Sequence, residues 1–258
     1  MAEKVSDFMN ANKLKFNAKK THYFIYSNKQ RRNNRQISLK MEGETVKISK
    51  SERLLGVQFS DNPDCKIHVD THENSVIKTL KHRLRSIRRV ASRGNYKQRK
   101  AITQGLFMSK LNYCLPVWGN NITQDLVKQI QVLQNEAVRF IMRKRRTDRL
   151  KPLYKQLNWL QFQNQLKYFE QLQLYTIRTE KTPTNLYNQV SNNYDNHGHF
   201  TRQTVNNFIR LTSNNTGNKD FITRSVHDFN NLPDNVKNST TKNMFKQRLK
   251  EHLMSQNV

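Results

Sequence analysis

Apolar residues at Val76, Ile77, Leu80, Leu84 and Ile87 recur every three to four positions, the period of a helix with one buried face. Lys78, Lys81, Arg83, Arg85, Arg88 and Arg89 occupy the intervening positions, which predicts an outward cationic ridge on the same helix. A longer stripe follows. Ile122, Leu126, Ile130, Leu133, Ala137 and Ile141 repeat at three- and four-residue intervals, the most regular helical signal in the chain. Burial of each large member contributes about 1.5–3 kcal/mol, enough to hold such a helix in a bundle. Between the two stripes, Arg99 to Tyr113 reads as a helix with Ile102, Leu106 and Ser109 on one face and Gly105 permitting close packing. Tyr113 to Gly119 reads as an apolar, proline-broken turn packed inside.

Further along, Trp159, Leu160, Phe162, Leu166, Phe169 and Leu172 make a broad apolar face on one helix that ends near Thr182-Pro183. Phe221 to Leu232 and a last helix carrying Phe245, Leu249 and Leu253, capped by Ser239 or Thr240, close the pattern. Strand-like runs occur only before Asn62. They are His22 to Tyr26, Gln36 to Leu39, Thr45 to Ile48 and Leu54 to Phe59, with Lys29 to Arg35 and Glu42-Gly43 as turns and a short helix from Glu3 to Asn12 in front. The expected fold is mainly α with a small N-terminal antiparallel β-sheet. Three regions are expected: 1–62 with the sheet, 63–150 helical, and 151–258 helical around a polar, Asn-rich connection at 192–219.

Charge changes the picture. Nine Lys or Arg and no acid lie between Lys81 and Lys100, and Lys97, Arg99 and Lys100 extend the ridge. Arg143, Lys144, Arg145, Arg146, Arg149 and Lys151 form a second cluster, with Asp148 the only acid among them. Over the whole chain 46 basic residues oppose 19 acidic ones, a formal net charge of +27. Such a field opposes compaction unless a polyanion offsets it, so the expected partner is nucleic acid (RNA, DNA or a hybrid), bound largely without sequence preference. The competing reading of any charge run is a solvated helix face. A membrane partner is not expected: there is no apolar run of about 18 residues and no lipidation signal. Two cysteines, Cys65 and Cys114, give no disulfide framework, and the first residues lack a signal-peptide core; an intracellular protein of nucleus or cytoplasm is expected.

Candidate chemistry is sparse. None of the 19 acidic residues adjoins another, and Asp61, Asp64 and Asp70 are the only close group. Neither common phosphate-cradling glycine pattern occurs. Cys65, His68 and His72 have ligand-like spacing, but a structural zinc site needs a fourth ligand. A buried thiol and two surface histidines are the plainer reading, and His197 and His199 read as solvated.

Several segments in order resemble the C-terminal part of the reverse transcriptase of a jockey-like, non-LTR retrotransposon. Asn17-Ala18-Lys19-Lys20-Thr21 is similar to the Asn, two spacers and Lys-Thr that follow the catalytic strand pair. Arg53-Leu54-Leu55-Gly56-Val57 resembles the primer-grip hairpin, and His68-Val69 the pair that opens the thumb. Tyr113 to Gly119 and Gln131 to Ile141, with Gln134 and Arg139, are similar to later landmarks. Phe229-Asn230-Asn231-Leu232-Pro233 and Phe245-Lys246-Gln247-Arg248-Leu249 resemble the closing Trp-Asn-x-Leu-Pro and Phe-Lys-x-x-Leu. Phe229 replaces a Trp of that pattern, and Cys65 stands where a Trp commonly precedes the His.

The resemblance implies the end of a palm, a helical thumb bundle and a helical C-terminal extension. It implies that Leu54, Leu55, Gly56 and Val57 seat a primer end, that Lys20 lies near the incoming nucleotide, and that the basic helix tracks the duplex. In that family the aromatic-Ala-Asp-Asp catalytic motif lies upstream of the first segment matched. The expectation is therefore a polymerase fragment that holds template and primer without the catalytic carboxylates, with no cofactor of its own and Mg2+ needed only by the complete polymerase. The missing palm and fingers are an expected partner. The alternative is a stand-alone basic helical protein that binds RNA or DNA as an accessory or domesticated factor.

Overall fold

The structure is a computed structural model that describes residues 2–15, 17, 20–24, 39–41, 44–60, 65–190 and 221–256. The expected turns at Lys29 to Arg35 and Glu42-Gly43, most of the expected strand at Gln36 to Leu39, Asp61, Asp64, and the connection 192–219 with His197 and His199 lie outside these residues. The chain divides into two compact units, Met1–Ser75 and Val76–Val258.

The first unit holds helix α1 (Ala2–Ala11) and five short strands, β1 (His22–Tyr23), β2 (Leu39–Met41), β3 (Glu44–Ile48), β4 (Ser51–Leu54) and β5 (Val57–Ser60). One sheet has the order β1-β3-β2, and β4 and β5 form a separate hairpin. The pairing is mixed rather than wholly antiparallel: β2 runs antiparallel to β3, but His22 and Tyr23 pair in parallel with Lys47 and Ile48. The long excursion between β1 and β3 permits this, since only strands joined by a tight turn must run antiparallel.

The stretch Leu54 to Phe59 is not one strand. Leu55, at φ 47°, and Gly56, at φ 82°, turn the chain so that Leu54 pairs with Val57. Val46, Val57 and Val69 are at most 2 % exposed, whereas Phe8, Ile48 and Leu54 stay exposed, so the described residues of this unit bury few large apolar side chains. Of the expected surface histidines, His72 is exposed but His68 is buried, where its Nδ1 accepts from the Gln58 backbone N–H at 3.3 Å. Position 68 lies in a π turn, Ile67–Thr71, whose wide register rotates His68 and Val69 inward.

The second unit is helical. Helix α2 (Val76–Val90) buries Val76, Ile77, Leu80, Leu84 and Ile87, the five positions its period singles out. Helix α3 (Tyr96–Thr103) starts with a capping box in which the Asn95 side chain accepts from the Gln98 backbone. It runs through a π segment, Gln104–Met108, into α4 (Ser109–Asn112). The buried face here is Arg99, Thr103, Phe107, Met108 and Leu111, not Ile102, Leu106 and Ser109. The i→i+5 turn shifts the register by a residue, which leaves Leu106 47 % exposed and Gly105 facing open space rather than a close neighbour.

A four-residue helix, α5 (Leu115–Trp118), follows, with Leu115 and Trp118 fully buried as the apolar turn suggested. Gly119 ends it at φ −67°, an ordinary helical value. A Cβ there would lie 2.8 Å from the Leu115 carbonyl oxygen and 2.9 Å from Leu166 Cδ1. Gly119→Ala is therefore expected to destabilise the protein by about 1–3 kcal/mol in denaturant unfolding, although alanine is the better helix former. Unchanged or raised stability would contradict this packing.

Helix α6 (Gln124–Met142) buries Leu126, Ile130, Leu133, Ala137 and Ile141, while Ile122 precedes the Thr123 cap. Helices α7 (Leu150–Leu157) and α8 (Phe162–Glu180) pack with α6 in the same compact unit. Gln134, fully buried on α6, donates from Nε2 to the Leu160 carbonyl at 2.9 Å, and Gln131 Oε1 accepts from the Phe162 N–H that starts α8. Trp159 and Leu160 are buried just before α8, on which Phe162, Leu166, Leu174, Tyr175 and Ile177 point inward and Phe169 and Leu172 are only half-buried.

After α9 (Thr184–Tyr187), the last described helices are α10 (Phe221–Asn230), α11 (Asp234–Lys237) and α12 (Lys242–Ser255). Phe229, Phe245, Leu249 and Leu253 pack with Leu174 and Tyr175 of α8 into one core, in which Tyr175 and Phe245 stack at 4.3 Å. Thr241, rather than Ser239 or Thr240, caps α12 by accepting from the Met244 N–H. The whole is mainly α with a small N-terminal sheet.

Candidate nucleic-acid interface

Helix α2 separates its two kinds of side chain cleanly. Lys78, Lys81, Arg85, Arg88 and Arg89 are exposed on the side away from the buried stripe. Lys81, Arg85 and Arg89 follow each other at four-residue steps, which places them on one line with about 6 Å of rise between neighbours. Arg88 and Arg89 also lie in the last turn, where the helix dipole favours cations.

Arg83 leaves the ridge. It is half-buried, and its Nη1 donates to the Leu106 carbonyl at 2.6 Å. That carbonyl belongs to the π segment, whose altered ladder leaves backbone acceptors open to a side chain. Arg88 is exposed but paired, with its Nη2 2.9 Å from Glu136 Oε2 on α6.

Lys97 of α3 is exposed and Lys100 is half-buried near Lys250, whose pKa is lowered first by burial and then by the Lys100 charge. Arg99 differs from both neighbours: at 6 % exposure it is a core residue. Its Nε donates to the Ile141 carbonyl at 2.9 Å and its Nη1 to the Gly94 carbonyl. The last carbonyls of a helix have no partner within it, and Arg99 satisfies one from α6. A guanidinium committed in this way is not offered to a ligand.

Arg143, Lys144, Arg145 and Arg146 are all exposed in the turn after α6. Arg143 adopts the left-handed conformation at the helix end, φ 51° and ψ 45°, which stops α6. Its Nη2 reaches the Ser92 and Gly94 carbonyls at 3.3 and 3.4 Å, and the Asp148 carboxylate accepts from the Arg145 N–H at 2.7 Å. The turn is thereby held against the loop between α2 and α3. The structure thus brings together α2, α3 and the turn after α6 in one unit.

Lys20 and the hairpin belong to the other unit. There Lys20, Leu54 and Leu55 are exposed, Gly56 is half-buried and Val57 is buried. Period and charge alone did not single out Arg139, Glu136 or Phe140 of α6. Arg139 stands four residues before Arg143, and that spacing was the available signal.

Among the described residues, no three His, Cys, Asp or Glu side chains come together in a way that could hold a metal ion. Nor is any described helix long and apolar enough to cross a membrane. No protein-family model matches the chain, and no curated protein or solved structure gives a significant match.

Proposed function

We propose that this protein binds nucleic-acid duplex by its phosphates, in the holding role of a polymerase thumb. The observation that carries this reading is α2: five apolar side chains buried on one side, and Lys81, Arg85 and Arg89 aligned and exposed on the other. The turn Arg143 to Arg146 and Lys97 add cationic surface in the same unit, and Lys78 extends the line. Arg83, Arg88 and Arg99 are committed to backbone carbonyls or to Glu136 and contribute mainly field.

The resemblance to a jockey-like retrotransposon reverse transcriptase supports the same role. Under it, the exposed tip at Leu54 and Leu55 meets the primer end and Lys20 lies near the incoming nucleotide. The motif residues that carry the resemblance, Trp118, Gln134, Phe229 and Phe245, are fully buried, so they support a shared scaffold more than a shared activity.

Titration of a random-sequence duplex at several salt concentrations tests this. Binding should weaken with salt, with a log–log slope of about −0.9 for each phosphate neutralised, and should vary little with sequence. Absence of binding at low salt, or a slope near zero, would overturn the proposal.

A further inference from the structure

Beside the ridge, α2, the loop and helix that follow it and the end of α6 line an open cleft of about 580 Å³, within the range of about 300–1,000 Å³ common to small-ligand sites. Arg88, Arg139, Arg143, Lys144 and Arg146 line it together with the buried Arg99, and Glu136 is the one carboxylate on its wall among the described residues. Val132 and Phe140 add an apolar strip. Glu136 is engaged by Arg88, and Arg99 by backbone carbonyls, so the remaining cations converge without an acidic partner among the described residues. Arg143 spends one nitrogen on two long bonds. The Nε of Arg139 is buried and makes no hydrogen bond among the described residues. That N–H is out of reach of a ligand in the cleft, which Arg139 lines with the rest of its side chain.

A line of separate cations suits the single charges spread along a strand, and α2 presents such a line. Cations gathered in one hollow suit a denser charge. A phosphate monoester carries about −1.5 to −2 at pH 7 on three acceptor oxygens, and arginine forks match that geometry. We propose that this cleft seats the terminal phosphate of a nucleic-acid strand. Arg139, Arg143 and Arg146 take up its oxygens, and the end base lies against Val132 and Phe140. The inference rests on the nucleic-acid reading and deepens it.

The test uses the full chain and oligonucleotides of one sequence that end in either a phosphate or a hydroxyl, labelled at the opposite end. The phosphate-ended strand should bind about tenfold more tightly at neutral pH. The difference should shrink below about pH 6, where the monoester loses its second charge. Arg139→Gln should remove most of the difference, and so should Arg146→Gln, whose exposed position keeps the fold out of question. Lys81→Gln should weaken both strands by one factor.

Inorganic pyrophosphate separates a strand end from a free phosphate compound and should compete only weakly. Saturation by pyrophosphate at lower concentration than the phosphate-ended strand would overturn the strand-end assignment. Equal binding of the two strands, or a difference that survives both arginine variants, would overturn the seat alone. Failure of both strands to bind would overturn the nucleic-acid reading with it.

Discussion

Replacing Lys81, Arg85 and Arg89 together with glutamine is expected to lower duplex affinity roughly a hundredfold, taking about 1 kcal/mol for each exposed phosphate contact. The slope of log affinity against log salt should flatten by about 2.7, because each lost contact removes roughly 0.9. These three are chosen because the structure separates them from the other basic residues of α2. They are exposed and lie on one line, whereas Arg83 is tied to the Leu106 carbonyl and Arg88 to Glu136. Arg83→Gln should therefore cost less affinity than any of the three. Stability should stay within about 0.5 kcal/mol of the parent, since solvated side chains with no packing role are replaced. Isothermal titration across a salt series, with unfolding measured in parallel, reads both quantities. An unchanged salt slope would remove the ridge from the interface even if affinity fell.

Helix α2 was legible because two independent patterns coincide there. The apolar period and the charge run define opposite faces, and Val76, Ile77, Leu80, Leu84 and Ile87 are all buried. The stripe of α6 and the closing pattern of Phe245, Leu249 and Leu253 were legible for the same reason: a regular helix converts spacing directly into a face.

What escaped has an equally specific cause. The segment from Gln104 to Met108 departs from the α-helical register, so spacing placed Leu106 inside and left Thr103 unmarked, although Thr103 is the fully buried one. Polar side chains inside α8 were invisible because their partners are remote in sequence. Gln171 donates to the Ser225 carbonyl, and Glu170 meets residues 50 and 54 positions away. Composition places Arg99 with the ridge because it registers a charge but not its commitment. Only the end of α6, brought close by folding, shows that its guanidinium is spent on backbone. The cleft around Arg139 escaped for a related reason: it forms where α6 meets α2, and no single helix displays it.

The second large effect belongs to Glu170, which is 1 % exposed. Its Oε1 accepts from Arg224 Nη2 at 2.6 Å, from Arg224 Nε at 3.2 Å and from Asn120 Nδ2 at 2.7 Å, linking α8 to α10 and to the turn after α5. Glu170→Ala is expected to cost about 3 kcal/mol, near the low end for breaking a buried pair, because the Arg224 side chain left behind is 19 % exposed and partly hydrated. Removing both charges, as Glu170→Leu with Arg224→Leu, should recover most of that loss, since the unpaired charge and not the missing attraction dominates it.

The pH dependence separates these terms. Burial raises the Glu170 pKa above its ordinary 4.5, and the hydrogen bond and charge of Arg224 oppose the rise without cancelling it. The fold therefore holds the protonated carboxyl more readily than the unfolded chain does. That contribution is complete below pH 4.5 and is lost as the pH rises through the raised folded value. Glu170→Gln keeps an acceptor for Arg224 and Asn120 but cannot ionise. Its stability deficit against the parent should thus be largest in acid and narrow as pH rises across that window. Urea midpoints of the two proteins measured over the same pH series test this. A deficit independent of pH would mean that Glu170 ionises as easily in the fold as in the unfolded chain, and a deficit that widens with pH would mean that the pairing with Arg224 outweighs burial.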